Sequence, residues 1–127
     1  MSYTTQKKVI IVHDDPGDVL WIRKILEPDY LVVESYDGLQ AKEIVDREKP
    51  DLVITGVMLP KINGYALCEH LKNNPNTKDI PVVMIIGLYE EINKEISKEI
   101  VADAYLKKPV WPNQLYDILS RLLKLKQ

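Results

Sequence analysis

The fold class follows from the N-terminal stretch Val9-Ile10-Ile11-Val12-His13-Asp14-Asp15-Pro16-Gly17. Its first four residues are apolar and β-branched, which predicts a strand that is buried on both faces, as in a parallel sheet. Polar residues and turn formers come next, so the strand should end there and a helix should begin, with Asp15 or Asp18 as its N-cap. The stretch therefore indicates the first β-α unit of an α/β protein.

The same β-α pattern repeats along the chain. Further strands are predicted at Tyr30–Val33, Leu52–Ile54, Ile80–Ile86 and Ala104–Leu106, and further helices at Leu39–Val45, Tyr65–Lys72, Ile92–Ile100 and from near Pro112. This alternation predicts a doubly wound parallel sheet of five strands with five helices on its two faces. Ligands of such sheets bind beyond the carboxyl ends of the strands, which directs attention to residues 13–17, 55–60, 86–88 and 107–109.

Composition limits the classes of function. The chain has 127 residues, of which 46% are apolar and 28% charged, as expected for one globular domain. Its net charge of −2 argues against a dedicated nucleic-acid binder, and its single cysteine, Cys68, fits a reducing compartment. No signal peptide or membrane-spanning segment is recognisable. We expect a cytoplasmic single domain over residues 1–127, with a core at about 7–124, no further domain in the chain, and no contact with membrane or nucleic acid.

Two groups of residues at the strand ends could carry chemistry. The carboxylates of Asp14 and Asp15, next to His13, could hold a divalent cation such as Mg²⁺, or they could form an ordinary helix-capping turn. Lys108 follows the last strand and would bring an ammonium group to the same edge of the sheet. It would there bind an anion or pair with the carboxylates.

Four segments of the chain resemble the receiver domains of two-component response regulators. Residues 12–19 resemble their first strand and loop, and residues 51–60 with Asn63-Gly64 resemble their third strand and phosphorylation loop. Residues 81–84 and 102–109 resemble their fourth and fifth strands, the latter with its Lys-Pro. The resemblance implies a flavodoxin-like receiver fold with strand order 2-1-3-4-5 and a cis Lys108–Pro109 bond.

The resemblance also implies a role for individual positions. In receivers an acidic pair after the first strand holds Mg²⁺, and this pair matches His13 and Asp14, with Asp15 at the variable position that follows. The metal-binding carbonyl matches Met58, and the phosphoacceptor aspartate matches Gly56. The hydroxyl residue that contacts the phosphoryl group matches Ile86, the conserved lysine of the motif matches Lys108, and the aromatic switch residue matches Tyr105.

Three of these positions lack the expected chemistry. Gly56 has no side chain to act as nucleophile, Ile86 has no hydroxyl, and His13 replaces an anion with an imidazole. We therefore predict a remnant pocket of His13, Asp14, Asp15 and Met58 that binds Mg²⁺ weakly at Asp14 or not at all, with no other cofactor. Lys108 should pair with Asp14 or Asp15.

These departures predict a degenerate receiver that is not an enzyme and works by contact with a histidine kinase or another signalling protein. In receivers the fourth helix, fifth strand and fifth helix form the output and dimer surface, and Tyr89 and Trp111 fall on or beside it, so a homodimer is possible there. Trp111 could instead pack onto the last helix. Two other functions remain open: a phosphorelay receiver whose acceptor was replaced, and a small flavodoxin-like ligand-binding protein.

Overall fold

A parallel sheet of five strands forms the centre of the computed structural model, which describes residues 6–87 and 102–124. The strands are β1 (Lys8–Val12), β2 (Leu31–Ser35), β3 (Leu52–Gly56), β4 (Val82–Ile86) and β5 (Ala104–Lys107). Their order across the sheet is β2-β1-β3-β4-β5, and every neighbouring pair is parallel. The predicted fold class and strand order are confirmed.

Four helices flank this sheet in the described part of the chain: α1 (Pro16–Leu26), α2 (Gly38–Glu48), α3 (Gly64–Lys72) and α4 (Pro112–Lys124). The helix predicted at residues 92–100 lies outside the described residues. Short polar side chains begin the first three helices by accepting backbone N–H groups that have no partner within the helix. These N-caps are Asp15, Asp37 and Asn63. Of the two N-caps considered for α1, Asp15 is correct, and Asp18 lies in the first turn instead.

Alternation along the strands divides the core into two layers. Ile11, Ile54 and Ile85 face α1 and α4, whereas the preceding residues Ile10, Val53 and Met84 face α2 and α3. All these side chains are buried, as expected for strands with helices on both faces. The two layers hold the strands rigidly, so the groups at their carboxyl ends have fixed positions. No helix within residues 6–87 and 102–124 has the length and apolar character needed to cross a membrane.

Candidate functional site

The carboxyl ends of β1, β3 and β5 bring His13, Gly56 and Lys108 to one edge of the sheet. The register pairs Val12 with Thr55, so His13 and Gly56 occupy the next positions on two adjacent strands. The backbone N–H of Lys108 donates to the carbonyl of Ile86 at 2.8 Å, which fixes the start of the turn after β5. The Lys108–Pro109 peptide bond is cis, as the resemblance implied. The predicted site residues on these three strands therefore do come together.

The imidazole of His13 lies directly against Gly56. A Cβ atom added to Gly56 would be 3.0 Å from Cδ2 and 3.2 Å from Nε2 of His13. These distances are shorter than ordinary van der Waals contacts, so a side chain at position 56 would require the ring to move. Gly56 and His13 are both buried. The ring thus fills the space into which a residue at position 56 would extend its side chain.

His13 is held as a neutral imidazole. The backbone N–H of Asp15 donates to Nδ1 at 3.1 Å, so the ring proton belongs on Nε2, which lies 3.5 Å from Oδ2 of Asp18. Burial lowers the pKa of His13 below its ordinary 6.5, and Lys108 lowers it further, against the opposing effect of Asp18, Asp14 and Asp15. A neutral ring at this position cannot replace the negative charge of a carboxylate.

Lys108 forms its ion pair with Asp18, on the first turn of α1, and not with Asp14 or Asp15 as the sequence suggested. The side chains of Lys108 and Asp18 are 22% and 28% exposed, so water screens the pair only in part. Asp18 lies four residues before the buried Ile22, and this spacing places it on the sheet-facing side of α1. From the sequence, this helical spacing of Asp18 and Ile22 is the signal that could have indicated Asp18 as a partner of Lys108.

The other acidic residues of the loop supply few of the ligands that Mg²⁺ needs. Oδ1 of Asp15 accepts the N–H of Gly17 at 2.8 Å as the helix cap, and the side chain of Asp14 is 49% exposed. Nδ1 of His13 is already engaged by a backbone N–H. Within residues 6–87 and 102–124 there is no group of three or more His, Cys, Asp or Glu side chains that could hold a metal. The residues present therefore do not fit the Mg²⁺ of the receiver family.

The remaining predicted positions have apolar or aromatic side chains. Ile86 is buried at the end of β4, Tyr105 is half-buried on β5, and the side chain of Met58 is 65% exposed. The hydroxyl of Thr55 is buried and donates to the carbonyl of Gly56 at 3.0 Å. None of these four side chains offers a carboxylate or an accessible hydroxyl at the end of β3.

The two tryptophans lie near the turn after β5. Trp111 is 57% exposed, so it is not folded away beneath the last helix. Trp21 on α1 is 48% exposed, and its indole N–H donates to the carbonyl of Val110 at 2.8 Å. Tyr89 lies outside the described residues. Cys68 is buried in the core, as expected for a packing residue, and burial raises the pKa of its thiol to about 11.

Comparison with known proteins gives concordant matches. The model of the response regulator receiver domain family matches residues 9–120. The probable transcriptional regulator ycf27 of Guillardia theta is 35% identical over 125 residues, which cover 94% of this chain and 46% of that protein. The DNA-binding dual master transcriptional regulator RpaA of Synechocystis is 33% identical over 118 residues, covering 92% of this chain and 49% of that protein. The chain therefore spans about half the length of these curated relatives.

A solved structure gives the same result in three dimensions. The signal receiver domain of a signal transduction histidine kinase from Syntrophus aciditrophicus superimposes with a TM-score of 0.85 at 32% identity. The match covers 93% of this chain and 90% of that one.

Proposed function

The chain belongs to the response regulator receiver domain family, and from this premise we propose that it is a two-component signalling module that acts through contact with a protein partner and does not accept phosphate. The observation that carries the proposal is the position of the His13 ring, which fills the space beside Gly56. In receivers this space belongs to the phosphoacceptor aspartate and its phosphoryl group. Here the protein fills it with its own side chain.

Four further features support the proposal. Phosphoryl transfer needs a nucleophile and positioned positive charge around the transferred group. Gly56 supplies no nucleophile, Ile86 supplies no hydroxyl, and the ammonium of Lys108 is engaged by Asp18. Of the positions whose carboxylates hold Mg²⁺ in receivers, only Asp14 keeps a carboxylate here. Each of these changes would impair phosphoryl transfer by itself, and of the family's catalytic residues only Asp14 and the engaged Lys108 keep the expected side chain.

A phosphorelay receiver with a replaced acceptor is the weaker alternative. In that case the rest of the site would still be built for phosphate, and a single substitution at position 56 would restore it. The contact between His13 and Gly56 favours the degenerate receiver, because a side chain introduced at position 56 requires the ring to shift. We therefore expect that phosphate acceptance can be restored only by changing both position 13 and position 56.

The proposed partner is a histidine kinase or another signalling protein. Trp111 is the exposed aromatic residue that we assign to the partner surface, since large aromatic side chains are enriched at the centres of protein interfaces. Trp111→Ala should weaken binding to the cognate kinase while leaving the melting temperature nearly unchanged. The homodimer through the region around β5 and the cytoplasmic location remain predictions.

The curated relatives named above are transcriptional regulators, and one is named as DNA-binding. This chain spans about half of each, and its net charge is −2. We propose that this chain does not itself contact DNA, because DNA binding relies on a basic surface.

The test of the proposal is incubation of the wild-type chain with acetyl phosphate and Mg²⁺, followed by intact-mass spectrometry. We expect no phosphate adduct. A receiver with an intact acceptor aspartate, treated in parallel, serves as the positive control. A stoichiometric adduct on the wild-type chain would overturn the proposal.

A further inference from the structure

A cavity separates α1 from the turn that follows β5. Its volume is about 250 Å³, and its lining residues are Asp18, Trp21, Ile22, Lys108, Pro109 and Val110. This volume is close to the lower end of the range for small-molecule sites, so it suits one ring with a short substituent. We call it the α1–β5 cavity. It includes both partners of the Lys108–Asp18 ion pair in its lining.

The apolar wall of the α1–β5 cavity is fixed by the protein itself. The indole N–H of Trp21 donates to the carbonyl of Val110 at 2.8 Å, which links the helix to the turn. The Lys108–Asp18 pair makes a second link between the same two segments. The Trp21 side chain is 48% exposed, so part of the ring surface remains available for contact. Because the walls are already fixed, ligand binding needs little further ordering of the protein side chains.

The charge around the cavity favours a cation. Asp18 and Lys108 line the cavity with one charge of each sign. Asp14 and Asp15 add two negative charges on the loop beside His13, whose Nε2 lies 3.5 Å from Oδ2 of Asp18. A carboxylate accepts more than one hydrogen bond, so Asp18 can bind a second donor in addition to Lys108. The face of an indole also attracts cations through its quadrupole. An anionic ligand would meet Asp18 in the lining and the net negative charge of the neighbouring loop.

We propose that the α1–β5 cavity binds a flat organic cation, an amidinium or guanidinium group on an apolar body, with the body against Trp21 and the cation at Asp18. Planar cations of this class match a carboxylate through paired N–H groups. The source is either a free small molecule or the side chain of an arginine, and both present the same group. The inference does not require the proposed function, since neither Gly56 nor Ile86 lines the cavity, although Asp18 and Lys108 belong to both sites.

The test uses the two indole N–H signals of the ¹⁵N-labelled chain, which has two tryptophans. The Trp111→Phe variant assigns them, so that the Trp21 signal reports on the cavity and the Trp111 signal is the internal control.

Benzamidine should shift the Trp21 signal saturably, with a millimolar dissociation constant, because so few atoms make contact. Benzoate should give no saturable shift. A response to N-acetylarginine amide as well would show that an arginine side chain also fits, and a response to benzamidine alone would assign the site to a free ligand.

Two variants should change the affinity in opposite directions. Asp18→Asn removes the charged acceptor and should weaken benzamidine binding at least about five-fold, since charge-assisted hydrogen bonds are the stronger ones. Lys108→Met removes the competing cation and should strengthen binding at least about two-fold. Asp117→Asn is the matched control, because it removes a 73% exposed carboxylate that is not part of the cavity, and it should leave the affinity unchanged.

Several results would overturn the proposal. These are an unsaturable Trp21 shift with benzamidine, an equal response to benzoate, or a benzamidine affinity that neither Asp18→Asn nor Lys108→Met alters. Should Asp18→Asn unfold, which a thermal melt detects, the Lys108→Met variant still decides the question through its opposite sign.

Discussion

The ring of His13 and the missing side chain of Gly56 are complementary: a Cβ at position 56 would come within 3.0 Å of Cδ2 of His13. The two residues are 43 positions apart in the sequence but follow paired residues of β1 and β3. Each therefore restricts what the other position can hold. The side chains that positions 13 and 56 can hold are therefore linked.

This relationship predicts a coupling between the two positions in stability. Gly56→Ala should lower the free energy of unfolding by about 1 kcal/mol, because the new methyl group meets the buried ring. In a His13→Ala background the same change should be neutral, or stabilise by about 0.5 kcal/mol, since alanine is favoured over glycine within a strand. Urea unfolding of the four chains gives the coupling energy. Additive effects would show that the ring does not restrict position 56.

The sequence predicted the sheet well because its signal is local. Val9 to Val12 form an unbroken β-branched run, and the register of β1 against β3 then places His13 beside Gly56. The partner of Lys108 was harder to predict, because several carboxylates lie at the same edge of the sheet and only the packing of α1 selects Asp18. The fit of His13 to Gly56 was missed for a similar reason. The sequence presents His13, Gly56 and Ile86 as three separate departures from the family pattern. In the structure, the volume of the His13 ring links this residue to Gly56 across two neighbouring strands.

The two adjacent acids after His13 should differ in their effect on stability. Asp15 caps α1 by accepting the N–H of Gly17 at 2.8 Å, so Asp15→Ala should cost about 1 kcal/mol. Asp14 is half exposed and caps nothing, so Asp14→Ala should stay within about 0.5 kcal/mol of the wild type.

The measurement is urea unfolding with and without Mg²⁺. Asp15→Asn keeps a capping oxygen and is the control, which should recover most of the loss. A large cost for Asp14→Ala that appears only with Mg²⁺ would contradict the absence of a metal site.

Stability should depend on pH through His13. Burial lowers the pKa of the folded imidazole below 6.5, so on acidification the unfolded chain takes up the proton first. The free energy of unfolding should therefore fall as the pH drops below about 6.5, with a slope of at most about 1.4 kcal/mol per pH unit for one group. Above the unfolded pKa the contribution of this residue is constant.

Urea unfolding between about pH 5.5 and about pH 7.5 measures this slope, in a range where most carboxylates stay ionised. His13→Asn has a neutral polar side chain at all these pH values and should reduce the slope. An unchanged slope in the variant would assign the pH dependence to other groups.

Reconstruction of the phosphorylation site should need more than the acceptor. With acetyl phosphate and Mg²⁺, Gly56→Asp alone should give little adduct, because the new side chain meets the His13 ring and has no metal or hydroxyl beside it. Addition of His13→Asp opens that space and restores an acidic pair with Asp14, and addition of Ile86→Thr supplies the hydroxyl. The triple variant should be phosphorylated faster than the sum of the partial variants, because these groups act as one unit.

Intact-mass spectrometry over time gives the rates, and the matched control replaces Gly56→Asp by Gly56→Asn in the triple variant, which removes only the nucleophile. Rapid phosphorylation of Gly56→Asp by itself would mean that the ring yields easily and that the chain is a phosphorelay receiver that has lost only its acceptor.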